Sequence, residues 1–440
     1  MNPHRPPHSA LRPPPLSAFS LQVFRLFPFS LQAFRPSAFF LALFSLQISS
    51  LPLPAAPKPG EALPPWSEGF LDIHHINTGR GEGALLILPD GTTMLVDGGV
   101  SHVDPSILNP PVPSAERAPG EWIARYIDRA LQPAPKKILN YVLLSHFDGD
   151  HLGTVKENTP LSANGHYKIS GLSEIADFIP FEKLIDRSWP KYGGGLRMTE
   201  YQKFIAWQQK HKGMRPERFK AGVNDQFVLL HNPSKYPQFE IRNIASDGVV
   251  WTGKDDSTRD IFEGIHPDFI AENTKSTVIC LTYGPFKYFS GGDLDHRKAA
   301  IKAGLNIETP VSKVTGPVSV LKANHHGIDN ANSANFLANL RPRVIVVHTM
   351  SLSTPRANAW RRMKSEVVYP GPRDIFATCI SKEAALAIGD KNLQTSGHIV
   401  IRVSPGGTEY YVYRLTDADE SGLIKSVHGP YQAEHARSAP

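Results

Sequence analysis

The sequence predicts an α/β protein, two β-sheets stacked in one sandwich with helices outside. Three observations carry this reading. Short apolar runs punctuated by Gly and Asp occupy both ends of residues 61–440, and segments with helical spacing lie between them. An apolar content of 41% with 20% charged residues suits a folded chain with a sizeable core.

Residues 1–60 stand apart from the sandwich. They hold 12 of the chain's 39 prolines and repeat Phe-Ser-Leu-Gln at 19–22, 29–32 and 44–47. Prolines at that density break helices, so no packed core is expected there. The apolar run Ala38–Leu46 follows Arg35 and precedes Leu53-Pro54-Ala55-Ala56. That order fits a secretory signal with a long leading region, an organelle transit peptide, or upstream sequence read from a misassigned start. Export and a cytoplasmic location both stay open.

The leader also explains the charge. The chain carries 47 Lys plus Arg against 41 Asp plus Glu, a formal net of +6. Arg5, Arg12, Arg25, Arg35 and Lys58 lie in the first sixty residues with no acidic residue, leaving 42 basic against 41 acidic residues in 61–440. A near-neutral body gives no global argument for nucleic acid. Cys280 and Cys379 form no CxxC pair and read as free thiols, which excludes a disulfide scaffold and a thiolate zinc knuckle. No stretch reaches the roughly 18 apolar residues of a membrane-spanning helix.

In chain order, Phe70–Ile76 alternates, Ala84–Leu88 is apolar, Asp90-Gly91 is a hairpin turn, and Thr92–Val96 is apolar again. These predict an antiparallel meander. Glu121–Leu131 has helical spacing and Ile138–Leu144 reads as a buried strand. Further strands are expected at Thr277–Tyr283, Lys287–Ser290, Val318–Lys322, Val344–Val347, His398–Val403 and Tyr410–Leu415.

The sharpest feature follows the buried strand: Ser145-His146-Phe147-Asp148-Gly149-Asp150-His151-Leu152-Gly153. Positions 146 and 148 can point to one side, and a turn at Gly149 brings Asp150 and His151 toward a second centre. Imidazole nitrogen and carboxylate oxygen suit zinc and related divalent ions, and two such ions about 3.5–4 Å apart form a clamp for hydrolysis.

At this motif the chain resembles the metallo-β-lactamase-fold hydrolases, whose signature is His-x-His-x-Asp-His, with Asp148 standing where the second His is usual. The departure shifts preference toward harder ions such as Mn2+, beside Zn2+, with one or two ions bound. The chain is most similar to the soluble hydrolase domain of ComEC-type competence proteins. The stations that carry this are Asn77-Thr78-Gly79-Arg80-Gly81-Glu82-Gly83, Asp97-Gly98-Gly99, the metal motif, Ser290-Gly291-Gly292-Asp293 and Leu321-Lys322-Ala323-Asn324-His325-His326-Gly327, in the family's order over 70–415. The resemblance implies an αββα sandwich over residues 61–440, with an inserted helical and loop segment at about 155–270.

It also implies roles. His146, Asp148, Asp150 and His151 look like metal ligands, and Asp293, after a glycine pair, looks like the bridging carboxylate. One of His325 and His326 looks like the distal ligand, assigned to His325, with His326 left for catalysis beside Asp150. Asp97 looks like the carboxylate that orients a ligand histidine. A further family histidine is expected between the motif and Asp293, where His166, His211, His231 and His266 are the candidates.

Within the insertion, Thr199–Gly213 reads as a helix with Thr199 as N-cap and Gly213 as stop. Lys203, Lys210, Lys212, Arg215, Arg218 and Lys220 cluster at its end, and Trp189–Gly195 reads as an exposed aromatic loop. Lys210, Lys212 and Arg215 are therefore candidate contacts to an anionic, phosphoester substrate, a small molecule or nucleic acid. The expected activity is hydrolysis by a metal-activated water, most directly of a phosphodiester. Lactone, ester or thioester hydrolysis and a non-catalytic binding protein are the alternatives. No transmembrane partner segment of the ComEC kind is read in the chain.

Overall fold

The computed structural model describes residues 57–101, 106–132, 137–296, 304–394 and 396–433. The readings of the repeats and of the apolar run at 38–46 fall outside the described residues. The meander forms as its turn chemistry predicts: β1 (Leu71–His75), β2 (Ala84–Ile87) and β3 (Thr93–Val96) are antiparallel neighbours. The Gly91 amide closes the turn on the Leu88 carbonyl. A parallel partner needs a crossover. Helix α1 (Pro119–Ala130) supplies it, placing β4 (Leu139–Leu143) parallel to β3.

Two more crossovers extend this sheet. The single turn α2 (Gly149–Leu152) and α3 (Leu172–Phe178) lead to β5 (Phe181–Asp186), and α4 (Leu196–Lys212) leads to β6 (Arg215–Arg218). The chain then builds the second sheet from β7 (Phe239–Ser246), β8 (Val249–Trp251), β9 (Thr258–Asp260), β10 (Val278–Tyr283) and β11 (Phe286–Ser290). It continues through α5 (Glu308–Thr315), β12 (Val320–Lys322), α6 (Ala334–Leu340), β13 (Val344–Val347), α7 (Ala357–Lys364), β14 (Asp374–Ala377) and α8 (Lys382–Ile388). Strands β15 (His398–Val403), β16 (Glu409–Leu415) and β17 (Ile424–Gln432) return to the first sheet. Its order is β17-β16-β15-β1-β2-β3-β4-β5-β6, and the second sheet runs β14-β13-β12-β11-β10-β7-β8-β9.

Three packed interfaces between four layers make this an αββα sandwich. Between the sheets, Leu71, Met94 and Tyr141 meet Leu281, Tyr288 and Val344. The opposite face of the first sheet, with Leu85, Leu95 and Val142, packs on Ile123 and Ile127 of α1 and Phe204 of α4. The outer face of the second, with Phe289 and Ile345, packs on Val311 of α5, Phe336 of α6 and Trp360 of α7. Strands buried on both faces read as continuous apolar runs, which is why β4 and β13 were visible in the sequence.

Some local expectations are revised. Helix α4 starts at Leu196, not beyond Thr199, and its N-cap Gly195 offers no side chain; the Thr199 hydroxyl bonds back to the Gly195 carbonyl. Gly213 does stop it, in the left-handed conformation. The aromatics at 189–195 are not exposed platforms: Trp189 and Tyr192 pack against the outer core, and the Tyr192 hydroxyl bonds Asp186. Residues 155–270 supply strands β5–β9. Both cysteines are free, with Cys280 buried. Among the described residues no helix is long and apolar enough to cross a membrane.

Candidate metal centre

The parallel pairings β3–β4 and β11–β12–β13 put the carboxyl ends of these strands at one end of the sandwich. The antiparallel β2 begins there. Asp97, the metal motif, Asp293, His325–His326 and Glu82 all lie within a few residues of those strand ends.

The motif is held first by Asp97. This residue is fully buried with φ 58°, a left-handed conformation that Asp tolerates better than most residues. Its Oδ1 accepts from the Ser145 amide at 2.7 Å, and its Oδ2 from the Ser145 hydroxyl at 2.7 Å and from His151 Nδ1 at 2.8 Å. With Nδ1 committed to Asp97, it is His151 Nε2 that turns inward. Gly99 makes room: a Cβ there would lie 2.4 Å from the His151 backbone nitrogen. His151 Nε2 is 3.2 Å from Asp293 Oδ1 and 3.6 Å from Asp150 Oδ2.

Asp293 arrives over Gly292, which has φ 53° and would clash with Ser145 if it carried a Cβ. His325 and His326 are consecutive left-handed residues, and their rings lie edge to face with centroids 6.0 Å apart. His326 is buried. Its Nδ1 donates to the His348 carbonyl at 3.1 Å, and its Nε2 lies 2.8 Å from Asp150 Oδ2 and 3.3 Å from Asp293 Oδ2. His325 is 17% exposed, 3.3 Å from Asp295 and 3.7 Å from Asp293.

One atom each from Glu82, His151, Asp293 and His326 falls within 4.8 Å of every other, all from buried residues. Glu82 Oε2, His151 Nε2, Asp293 Oδ1 and the neighbouring His146 Nε2 are buried without a hydrogen-bond partner. Unsatisfied buried polar atoms are costly, and a convergent set of two imidazoles and two carboxylates fits a divalent ion such as Zn2+ or Mn2+.

Glu82 was not assigned from the sequence, nor was Lys322. The Lys322 ammonium is buried, 2.7 Å from Glu82 Oε1, 2.6 Å from the Gly292 carbonyl and 3.8 Å from Asp293 Oδ1. A lysine inside the apolar strand Val320-Leu321-Lys322 beside a His-His pair was the available signal. Glu82 offered only its place between two glycines.

The group's electrostatics match its crowding. Burial pushes the His151 imidazole down, but the carboxylates of Asp293, Asp97, Asp150 and Glu82 hold it well above its usual range. His326, against the same burial, is raised to about 10 by Asp293 and Asp150. Asp293 is held well below the carboxylate range, against its burial, by His326, His151 and His325. Glu82 is raised by burial, with Lys322 opposing. Protons thus gather where a cation fits. Behind them, His348 and His75 share a 2.8 Å hydrogen bond, and burial pushes His75 down to about 3, so this pair is neutral.

The remaining expected residues lie around this group. Asp150 bonds His326, and the His146 ring lies tilted against the His151 ring, with centroids 4.1 Å apart. Asp148 is on the rim, 45% exposed, 3.6 Å from His146 and 3.9 Å from Arg197. None of His166, His211, His231 and His266 joins the group: His166 stacks on His211, the His231 amide bonds Asp90, and His266 pairs with Asp268 on the surface. Lys210, Lys212 and Arg215 lie at the far end of α4, where Lys212 covers Trp207 and Arg215 pairs with Glu182.

No protein-family model matches the chain, and no curated protein sequence does. Among solved structures, it is similar to a protein from Parabacteroides distasonis provisionally assigned as a metal-dependent hydrolase, with TM-score 0.34 and 12% identity, covering 73% of this chain and 98% of that one. It is also similar to a long form RNase Z from yeast, with TM-score 0.28 and 11% identity, covering 63% of this chain and 37% of that one. Likeness at this level decides nothing about activity, which is argued from the site's own atoms.

Proposed function

We propose that this chain is a metal-dependent hydrolase of the metallo-β-lactamase type, acting through a metal-activated water on a phosphodiester or similar anionic substrate. The carrying observation is the convergence of Glu82, His151, Asp293 and His326 with buried, unpartnered ligand atoms at the carboxyl ends of the strands. The chemistry such an ion supplies when bound is polarisation of the attacked group and acidification of water.

The chain's residues supply the rest. Asp97 and the His348 carbonyl accept hydrogen bonds from Nδ1 of His151 and His326, so each ring turns Nε2 toward the group. Asp150, hydrogen-bonded to His326, is placed to accept a proton. Lys322 keeps one Glu82 oxygen occupied and directs the other inward. His325, the ring outside the group and partly exposed, is the candidate donor to the leaving oxygen.

The test is metal analysis of the full chain after supplying Zn2+ or Mn2+, followed by assay with bis-p-nitrophenyl phosphate and with lactones. About one ion or more per chain and diester turnover abolished by Asp150→Ala support the proposal. Under about half an ion per chain sinks it. Turnover of lactones alone replaces the phosphodiester with an ester substrate.

A further inference from the structure

A cavity of about 540 Å3 opens beside the metal motif, between the Phe147–Asp148 turn and the amino end of α4. Asp148 joins it to the metal centre, since its carboxylate forms part of the wall and lies 3.6 Å from His146 Nε2. The cationic lining is Arg187, Arg197 and Lys275, and the acidic lining is Asp148 and Glu272.

Those charges are not evenly spent. Glu272 is engaged by Arg187, with both oxygens 2.7 Å from Nη2, and by the Phe147 amide at 3.0 Å. Arg197 donates to the Phe147 carbonyl at 2.7 Å. The Lys275 ammonium has no hydrogen-bond or ion-pair partner among the described residues; only its backbone is bonded, to Glu272 and Asp247. Arg187 is only 8% exposed, yet its Nε–H has no acceptor, and the Arg197 Nε–H has none either. Both Nε atoms are enclosed by the protein, so what Arg187 and Arg197 give the cavity is positive charge that the lining carboxylates only partly offset.

The floor of the cavity adds to the same field. Gly193, Gly194 and Gly195 line it, and a Cβ on any of them would touch nothing within 4 Å. The first turn of α4 follows directly, with no side-chain cap and no acidic residue. Such a turn presents orphan amide N–H groups and the positive end of the helix dipole.

We propose that this cavity is an anion subsite, in which Arg187, Arg197, Lys275 and the amino end of α4 seat a phosphate-type group of the substrate next to the metal centre. The inference rests on the hydrolase reading for its purpose but not for its binding chemistry. It moves recognition away from Lys210 and Lys212, which sit roughly 20–25 Å down the same helix, and from Arg215, which lies beyond it in β6. The competing role for Arg187 and Arg197 is to brace the metal loop, since Arg187 also stacks 4.5 Å from the Phe147 ring. Lys275 separates the two, because its ammonium braces nothing among the described residues.

The probe is inorganic phosphate, titrated into the full chain and followed by calorimetry or 31P line broadening. Lys275→Gln is expected to weaken binding about fivefold with metal content unchanged, and Arg197→Gln by at least as much, both differences shrinking at high salt. Asp293→Asn, or the wild-type chain treated with chelator should that variant not fold, is expected to lose metal and keep phosphate binding within about twofold. Phosphate binding that disappears with the metal, that ignores both Lys275→Gln and Arg197→Gln, or that is undetectable in the wild-type chain overturns the subsite. A chain that binds phosphate through Lys275 but holds no metal keeps the subsite and removes the hydrolase proposal.

Discussion

Asp148 and His151 belong to one turn of the chain, and so do His325 and His326, yet in each pair the two residues live in different surroundings. His151 and His326 are fully buried, each with Nδ1 committed to an oxygen and Nε2 aimed at Asp293. The side chains of Asp148 and His325 are partly exposed, and their nearest polar partners among the described residues lie 3.6 Å and 3.2 Å away respectively. The difference teaches that a ligand is made by the contact behind it. Spacing brings four polar residues near one point, and Asp97, His348 and Lys322 decide which of them are held. A rigid inner group and an adaptable rim follow.

The largest test of that contrast is Lys322→Met, which leaves Glu82 buried beside Asp293 without its cation. Removing one member of a buried pair costs about 3–5 kcal/mol. Urea unfolding of the metal-free variant should show that loss, and an unchanged midpoint would mean that the inner group does not depend on its ammonium. Next in size, Asp97→Asn keeps a side chain that tolerates the left-handed backbone but no longer fixes the His151 proton. Competitive chelator titration should show metal affinity falling about 10- to 100-fold with secondary structure intact.

The contrast also has a pH signature. The raised His326 contributes stability to the metal-free fold that is fully present below the unfolded-state value of about 6.5 and is lost as pH rises through about 10. An ion entering the inner group must expel that proton and the one on His151. Metal affinity measured from pH 6 to 9 should therefore rise, by up to about tenfold per unit for each proton displaced. A flat profile would place the ion away from these rings. At the rim, Asp148→Ala should change metal affinity by less than about threefold, since only an exposed carboxylate is lost. Smallest of all, Lys210→Gln with Lys212→Gln should leave KM for a phosphodiester within about twofold, because both lie at the distant end of α4.

Much of this was legible in the sequence where chemistry is local. The continuous apolar runs of β4 and β13 announced buried strands, Asp90-Gly91 announced the hairpin, and two His with two Asp after a buried strand announced a metal motif. The edge strands were not legible. Arg215-Pro216-Glu217-Arg218 and Thr258-Arg259-Asp260 carry no apolar pattern, and they are strands only because β5 and β8 supply their hydrogen bonds. Glu82 was hidden for a related reason. Its place is set by the β2–β3–β4 pairing and by its amide on the Asp150 carbonyl, contacts that no local pattern encodes. The position of the basic cluster was not legible either, because a helical run of lysines does not say which end of the helix faces the Glu82–His151–Asp293–His326 group.

The first sheet places β15 beside β1, with His75 opposite Ile399 and Leu71 opposite Val403. During synthesis, then, β1 is among the first strands to leave the ribosome and among the last to be fully paired. Until residue 398 emerges, one side of β1 offers its backbone to any neighbour. The inner group waits too, because its members run from Glu82 to His326. A nascent chain therefore passes through a long interval in which it can aggregate but cannot yet hold metal. Truncations that stop before β15 should be insoluble even though they contain every ligand.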